Sequence, residues 1–269
     1  MARIKSFCLL ALVLILGIIP HEARFVRSAS YCESIPVLTY HDIGDASNPF
    51  TVKPQEFEAQ IKYLVQQGYT FMVPGDLDLF LRNKKKYPKK SVMITFDDGC
   101  KGVYTYAYPV LKKYRVRVTL FVVCMFLERE GFVSFADLDE MVSSGLFFIG
   151  SHTYSSHHSF YYPDEKKTLP ATIRQVGESV SDYQKRMQQD LSMSLEMLSM
   201  MYPYLLINTF SYPYGEYNQE LTQLVKEAGF TYAFAYNSQK KLLVSRKSNR
   251  YTLERYPVFP GTLPSKLIQ

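Results

Sequence analysis

A chain of 269 residues with 47% hydrophobic and 21% charged residues can bury one substantial core, and its composition excludes a disordered or fibrous protein. The formal net charge of +6 falls to +3 once residues 1–30, which carry four basic and one acidic residue, are set aside. No basic block remains that would mark a nucleic-acid binder, and Lys84–Lys90 reads as a solvated loop.

Residues 1–30 stand apart from the rest. Arg3 and Lys5 precede Phe7–Pro20, an apolar stretch of 14 residues, and Ser28-Ala29-Ser30 offers small residues for cleavage. This is the pattern of a secretory signal peptide; the stretch falls short of the roughly 20 residues of a membrane span, and an uncleaved N-terminal anchor is the alternative. Residues 31–269 are then one domain, secreted or cell-surface associated, with membrane contact only through 1–30 if these are retained. Cys32, Cys100 and Cys124 are an odd set for an exported domain, which excludes a fully paired framework. Unpaired thiols are expected, with a Cys100–Cys124 bridge as the alternative.

Pro36–Tyr40 is predicted as the first strand. Pro54–Gln67 follows as a helix, with Pro near its start, Phe57, Ile61, Leu64 and Val65 on one face and Gly68 as its stop. An apolar strand at 92–96 leads to a helix near 103–113, and Val118–Val123 is a further strand. Ser134 and Asp137 form a capping signal for a helix that ends at Gly145. Leu146–Ile149 is a short strand. Segment 159–180, rich in Tyr, Pro, Ser and charge, reads as a loop whose Tyr161 and Tyr162 lie at the surface or line a sugar site by stacking. Ser181–Met201 is a long amphipathic helix; a strand to Tyr212, a helix at 217–228 stopped by Gly229, and strands near 231–235 and 251–256 complete the series. Such alternation, with no internal repeat, predicts a parallel sheet wound with helices.

Three strand ends carry chemistry. Val92-Met93-Ile94-Thr95-Phe96 runs into Asp97-Asp98-Gly99, two adjacent carboxylates at the carboxyl end of a buried strand, where α/β folds keep their sites; a simple Asp-Gly turn is the bland alternative. Of the chain's five histidines, His152, His157 and His158 fall within seven residues just after Leu146–Ile149. Two imidazoles and a carboxylate would give a divalent metal three ligands and leave room for water, as a catalytic site requires. Phe210-Ser211-Tyr212-Pro213-Tyr214-Gly215 is the third strand end. It reads as a pocket wall with a backbone N–H aimed at developing negative charge, or as an ordinary Pro-Tyr-Gly turn.

Together these segments resemble the polysaccharide deacetylases, carbohydrate esterases with a NodB-type homology domain. Thr95-Phe96-Asp97-Asp98-Gly99, His152-Thr153 with His157, and Tyr212-Pro213-Tyr214-Gly215 match three motifs of that family in order and approximate separation, over roughly residues 35–260. Thr39-Tyr40-His41-Asp42, the spacing of His152 and His157, and the Tyr-Pro-Tyr-Gly form look most like the subgroup that removes N-acetyl groups from poly-β-1,6-N-acetylglucosamine in biofilm matrices.

The resemblance implies a distorted (β/α) barrel of about seven parallel strands. It implies a monomeric hydrolase acting on a polysaccharide that contains N-acetylglucosamine, with a divalent metal ion, zinc or alternatively cobalt or nickel, held by Asp98, His152 and His157. It makes Asp97 the base that takes a proton from water and Tyr214 the donor of a backbone N–H to the oxyanion. Two family features are missing. No histidine follows His158 to protonate the leaving amine, so His41 is the candidate acid or sugar contact, with Arg255 and His158 as alternatives. The arginine that orients the base is absent from the third motif, where Ser211 stands. Peptidoglycan or chitin-oligosaccharide deacetylation, and a catalytically impaired glycan-binding homologue, are the competing functions.

Overall fold

The structure, a computed structural model, describes residues 31–164, 166–236 and 243–268. The expected signal or anchor at 1–30 lies outside the described residues; among these, no helix is long and apolar enough to cross a membrane.

Eight parallel strands form the main sheet: β1 (Val37–Tyr40), β2 (Thr70–Met72), β3 (Ser91–Phe96), β4 (Val118–Val122), β5 (Phe147–Ser151), β6 (Thr209–Ser211), β7 (Tyr232–Tyr236) and β8 (Leu253–Pro257). Their order is β1-β8-β7-β6-β5-β4-β3-β2, and β1 also pairs with β3, which closes seven of them into a barrel and leaves β2 alongside the start of β3. The closing register sets Leu38 against Ile94 on one side and against Tyr256 on the other. The barrel is thinnest between β5 and β6, which meet only at Ser151 and Phe210.

Among the described residues, six α-helices cover the outside: α1 (Pro54–Gln66), α2 (Pro74–Leu81), α3 (Tyr108–Tyr114), α4 (Phe135–Ser143), α5 (Val180–Met201) and α6 (Gln219–Glu227). Their ends follow the sequence signals. The Gly68 N–H reaches the Val65 carbonyl and the Tyr69 N–H the Leu64 carbonyl, a glycine-stopped helix end at φ 73°. Ser134 and Asp137 cap α4 reciprocally, and the side chains of Ser179 and Asn218 accept N–H groups at the starts of α5 and α6.

Three details differ from the sequence-based expectations. Strand β2 and helix α2 were not anticipated, because Pro74-Gly75 has the look of a turn, yet Pro74 takes the first helical position, where its missing N–H costs nothing. The helix expected near 103–113 starts as one π-helical turn, Val103–Ala107, before α3. Segment 159–180 is not wholly a loop: Ser159–Tyr162 and Lys167–Pro170 pair as an antiparallel hairpin. The thiols are as expected: Cys32, Cys100 and Cys124 are all free, and the alternative Cys100–Cys124 bridge does not form. Cys100 lines a pocket, while Cys124 is buried with its thiol toward the Ser194 carbonyl.

Strand alternation explains how the interior is layered. Val37, Met93, Tyr232 and Leu253 are buried at the floor of the barrel, packed with Phe121 and Phe234, whose rings are tilted against each other with centroids 5.4 Å apart. Stepping two residues at a time along β1, β3, β5 and β7 from that layer arrives at His41, Asp97, His152 and Tyr236, so the strands' own periodicity delivers these side chains to the carboxyl end. Gly150 belongs to the middle layer. A Cβ there would lie 2.4 Å from the Phe121 ring and 2.6 Å from Thr209 Oγ1, so β5 can pass this point only as glycine.

Candidate active site

At the carboxyl end of the barrel lies a cavity of about 320 Å³ lined by His41, Asp42, Phe50, Asp97, Asp98, Cys100, His152, His157, Tyr214 and Tyr236, among others. The six residues singled out from the sequence, His41, Asp97, Asp98, His152, His157 and Tyr214, therefore share one pocket. His158 is exposed and lines a different depression, beside Phe160 and Gln189.

Asp98 and Asp97 point to different partners although they are adjacent. Asp98 sits at φ 70°, a left-handed conformation uncommon for a non-glycine residue, and this turn breaks the strand alternation and directs its carboxylate to the histidines. Its Oδ1 lies 3.4 Å from His152 Nε2 and 3.1 Å from His157 Nε2. Tyr214 (φ 60°), in the same pocket, and Thr153 (φ 80°), next to His152, also adopt left-handed backbone.

The protonation pattern shows what these three groups need. His152 Nδ1 is 2.8 Å from the Ser211 carbonyl, which can only accept, so Nδ1 bears the proton and Nε2 presents a lone pair to Asp98. Asp98 Oδ1 is buried and has no hydrogen-bond donor. Its contacts with the imidazoles are ion pairs only if the rings take a second proton. Burial raises the Asp98 carboxyl, but His152 and His157 outweigh it and hold the group well below the usual carboxylate range. Burial likewise lowers the His152 imidazole, and Asp97 and Asp98 reverse the direction to a net rise. Asp98 and His152 thus both favour positive charge at one point, and His157 Nε2 faces the same carboxylate oxygen. Their ligand atoms lie within 4.8 Å of one another, and a nitrogen, nitrogen and carboxylate-oxygen set suits a divalent cation with an open position.

Asp97 is held for another task. Arg255 on β8 donates from Nη1 to Asp97 Oδ1 and from Nη2 to Oδ2, both at 2.7 Å, and the pair is almost fully buried. Burial raises the Asp97 carboxyl, but the Arg255 charge prevails and the net direction is down. Arg255 Nη2 also donates to Ser211 Oγ at 2.7 Å, Nη1 donates to Thr95 Oγ1 at 3.1 Å, and Ser211 Oγ donates to Asp97 Oδ2 at 3.1 Å. The guanidinium lies over the Phe121 and Phe234 rings, 5.5 and 5.9 Å from their centroids. The arginine missing from the third motif is therefore supplied by the last strand, and Ser211 joins the same network. Arg255 is a positioning group here, not a substitute acid. No local signal in Leu253-Glu254-Arg255-Tyr256-Pro257 announces this, beyond a charged residue on the inward face of a strand.

His41 follows β1 and lies against Phe50, with ring centroids 5.0 Å apart. Burial pushes its imidazole below the ordinary histidine range, partly opposed by Asp97 and Asp98. Tyr214 leans over His157 at 5.0 Å. The turn around it uses the N–H groups of Gly215 and Glu216, bonded to the Tyr212 and Pro213 carbonyls, while the Tyr214 N–H has no acceptor among the described residues. A cluster of two imidazoles and a carboxylate that could hold a metal ion, a second buried carboxylate, a histidine and an unused backbone donor around one cavity suit hydrolysis of an acyl bond.

Comparison with known proteins agrees. The Bacillus subtilis (strain 168) protein YxkH is 30% identical over 227 residues, 84% of this chain and 72% of that one. A Staphylococcus aureus (strain MRSA252) poly-β-1,6-N-acetyl-D-glucosamine N-deacetylase is 29% identical over 211 residues, 77% of this chain and 67% of the other. Among solved structures, IcaB from Ammonifex degensii superposes with a TM-score of 0.74 at 28% identity, over 89% of this chain and 99% of that one. A de-N-acetylase from Aggregatibacter actinomycetemcomitans has the same barrel, with a TM-score of 0.74 at 23% identity, over 83% of this chain and 94% of that one. Residues 84–233 match the polysaccharide deacetylase family, and the chain belongs to it.

Proposed function

We propose that this polysaccharide deacetylase is a secreted or cell-surface metal-dependent enzyme that removes N-acetyl groups from poly-β-1,6-N-acetylglucosamine. The observation that carries the chemistry is the division of labour between adjacent aspartates, Asp98 turned to His152 and His157 while Asp97 is locked by Arg255. The Staphylococcus aureus relative, named for that substrate, supports the linkage.

Asp98, His152 and His157 would hold the ion, and two nitrogens with one carboxylate oxygen favour zinc, with cobalt or nickel able to replace it. Bound there, a divalent ion polarises the acetamide carbonyl and makes water acidic enough to deprotonate near neutral pH. Asp97, whose carboxyl lies below its ordinary range, accepts the proton as water attacks the carbonyl carbon. The Tyr214 N–H donates to the oxygen that gains negative charge. In its protonated form, which burial disfavours and the nearby Asp97 and Asp98 favour, His41 gives a proton to the sugar nitrogen as the C–N bond breaks, releasing acetate and a glucosamine residue. A neutral, buried His41 hydrogen-bonded to the sugar is the competing role for that residue.

The test is acetate release by the metal-loaded protein from β-1,6- and β-1,4-linked N-acetylglucosamine oligomers. Turnover of the β-1,6 series is expected; turnover of the β-1,4 series alone would move the substrate to peptidoglycan or chitin oligosaccharides. Release from neither would make the chain a glycan-binding relative.

A further inference from the structure

The two histidines of the metal-ready set are positioned by unlike means. His152 directly follows β5, and its ring is fixed by a hydrogen bond to the Ser211 carbonyl. His157 lies five residues further along, on a loop. Among the described residues its Nδ1 has no hydrogen-bond partner, and the aromatic rings beside it are those of Phe126, His152 and Tyr214. The placement of His157 therefore depends on the backbone of residues 153–156.

That backbone is gripped by one side chain. Asp190, on the inner face of α5 and 6% exposed, accepts from the Tyr154 N–H at 3.0 Å on Oδ1. On Oδ2 it accepts from the Ser155 N–H at 2.9 Å, the Ser155 hydroxyl at 3.0 Å and the Ser156 hydroxyl at 2.9 Å. One turn further along α5, the buried Ser194 hydroxyl meets Ser151 Oγ at 2.8 Å, and Ser151 Oγ in turn takes the Thr153 N–H at 3.2 Å. From the opposite side, the N–H groups of Cys124 and Met125 hold the Thr153 and Tyr154 carbonyls at 3.2 and 2.8 Å. The rest of the buried face of α5 is Tyr183, Met187, Leu191 and Leu198. A carboxylate among these costs desolvation that an apolar residue would avoid, and its four bonds all serve one loop.

We propose that Asp190 is a positioning residue for the metal site: it clamps residues 154–156 so that His157 Nε2 stays aimed at Asp98. The inference rests on the metal-site reading above, and it extends the outer support of a metal ligand from ring hydrogen bonds to the loop that bears the ligand.

The experiment measures cobalt(II) and zinc(II) affinity by chelator competition, together with the visible spectrum of the cobalt form. Asp190→Asn keeps the shape but cannot accept from three donors at the amide nitrogen. It should weaken binding about 10- to 100-fold and alter the cobalt spectrum, as loss of outer-shell support does. Ser156→Ala, which removes one bond and little else, should weaken it about fivefold, and it carries the test if Asp190→Asn does not fold. Arg186→Gln breaks the pair that Arg186 makes with Glu178, one turn earlier on α5, and should lower thermal stability without changing the affinity. Wild-type affinity and spectrum in folded Asp190→Asn, or in Ser156→Ala when the former does not fold, would overturn the clamp, as would an equal loss in Arg186→Gln. His152→Ala separates the two readings: if it too binds normally, the metal site itself is wrong, not only the clamp.

Discussion

Arg255 and Asp97 lie 158 residues apart in the chain, yet the guanidinium meets both carboxylate oxygens at 2.7 Å inside the barrel. A planar fork on a planar acceptor fixes the carboxylate's orientation as well as its charge, which a lysine cannot reproduce. Arg255→Lys is expected to lower kcat about 100-fold with metal content unchanged, because the base is retained but tilts. Arg255→Ala should instead cost about 3–5 kcal/mol of stability, since it strands a buried charge. Steady-state kinetics, metal analysis and urea denaturation distinguish these outcomes; a fully active lysine variant would refute the orienting role.

The same pair makes stability depend on pH. The Asp97 carboxyl is depressed by Arg255 in the folded chain, so its contribution is complete above the unfolded value of about 3.9 and is lost as pH falls through the folded value. The gap in urea midpoint between the wild type and Asp97→Asn should therefore be widest near neutrality and shrink below about pH 4. A gap independent of pH would show that the carboxylate is not held in its charged form. Asp97→Asn should also keep the metal while losing about 10²–10⁴-fold in deacetylation.

Metal content divides the histidines. His152→Ala and Asp98→Asn should abolish tight binding of one divalent ion, because two remaining ligands do not suffice, whereas His158→Ala should bind normally. Elemental analysis of the purified variants checks this.

For His41, alanine substitution should cut kcat about 10²–10⁴-fold at constant metal content if it protonates the leaving nitrogen. A loss confined to KM would assign it to sugar binding, which acts on ground and transition states alike.

Gly150→Ala probes the packing beneath the site. The added methyl meets the Phe121 ring and Thr209 Oγ1 well inside contact distance, so about 1–3 kcal/mol of destabilisation is expected in thermal or urea unfolding.

The juxtaposition of Asp97, Asp98, His152 and His157 was legible in the sequence because each lies at a strand end within a local motif. Alternating elements pointed to a parallel sheet wound with helices, and only the family resemblance implied its closure into a barrel. Arg255 was only an alternative acid in that reading, since its meaning arises from closure of β8 against β1 and from the 158-residue distance to Asp97. The hairpin at Ser159–Tyr162 and Lys167–Pro170 escaped notice because its exposed residues need not alternate. Helix α2 was hidden by its Pro-Gly start, and Asp190 by its place in a helix whose apolar face accounted for the pattern.

Closure of the barrel has a consequence for how activity is acquired. The pocket draws on the chain from His41 to Arg255, and β1 receives both β3 and β8. A chain cut before residue 253 would retain Asp97, Asp98, His152 and His157 yet lack the strand that seals the ring and the guanidinium that pairs with Asp97. Such a fragment is expected to lose turnover, and recovery of turnover during refolding should lag behind recovery of helix signal.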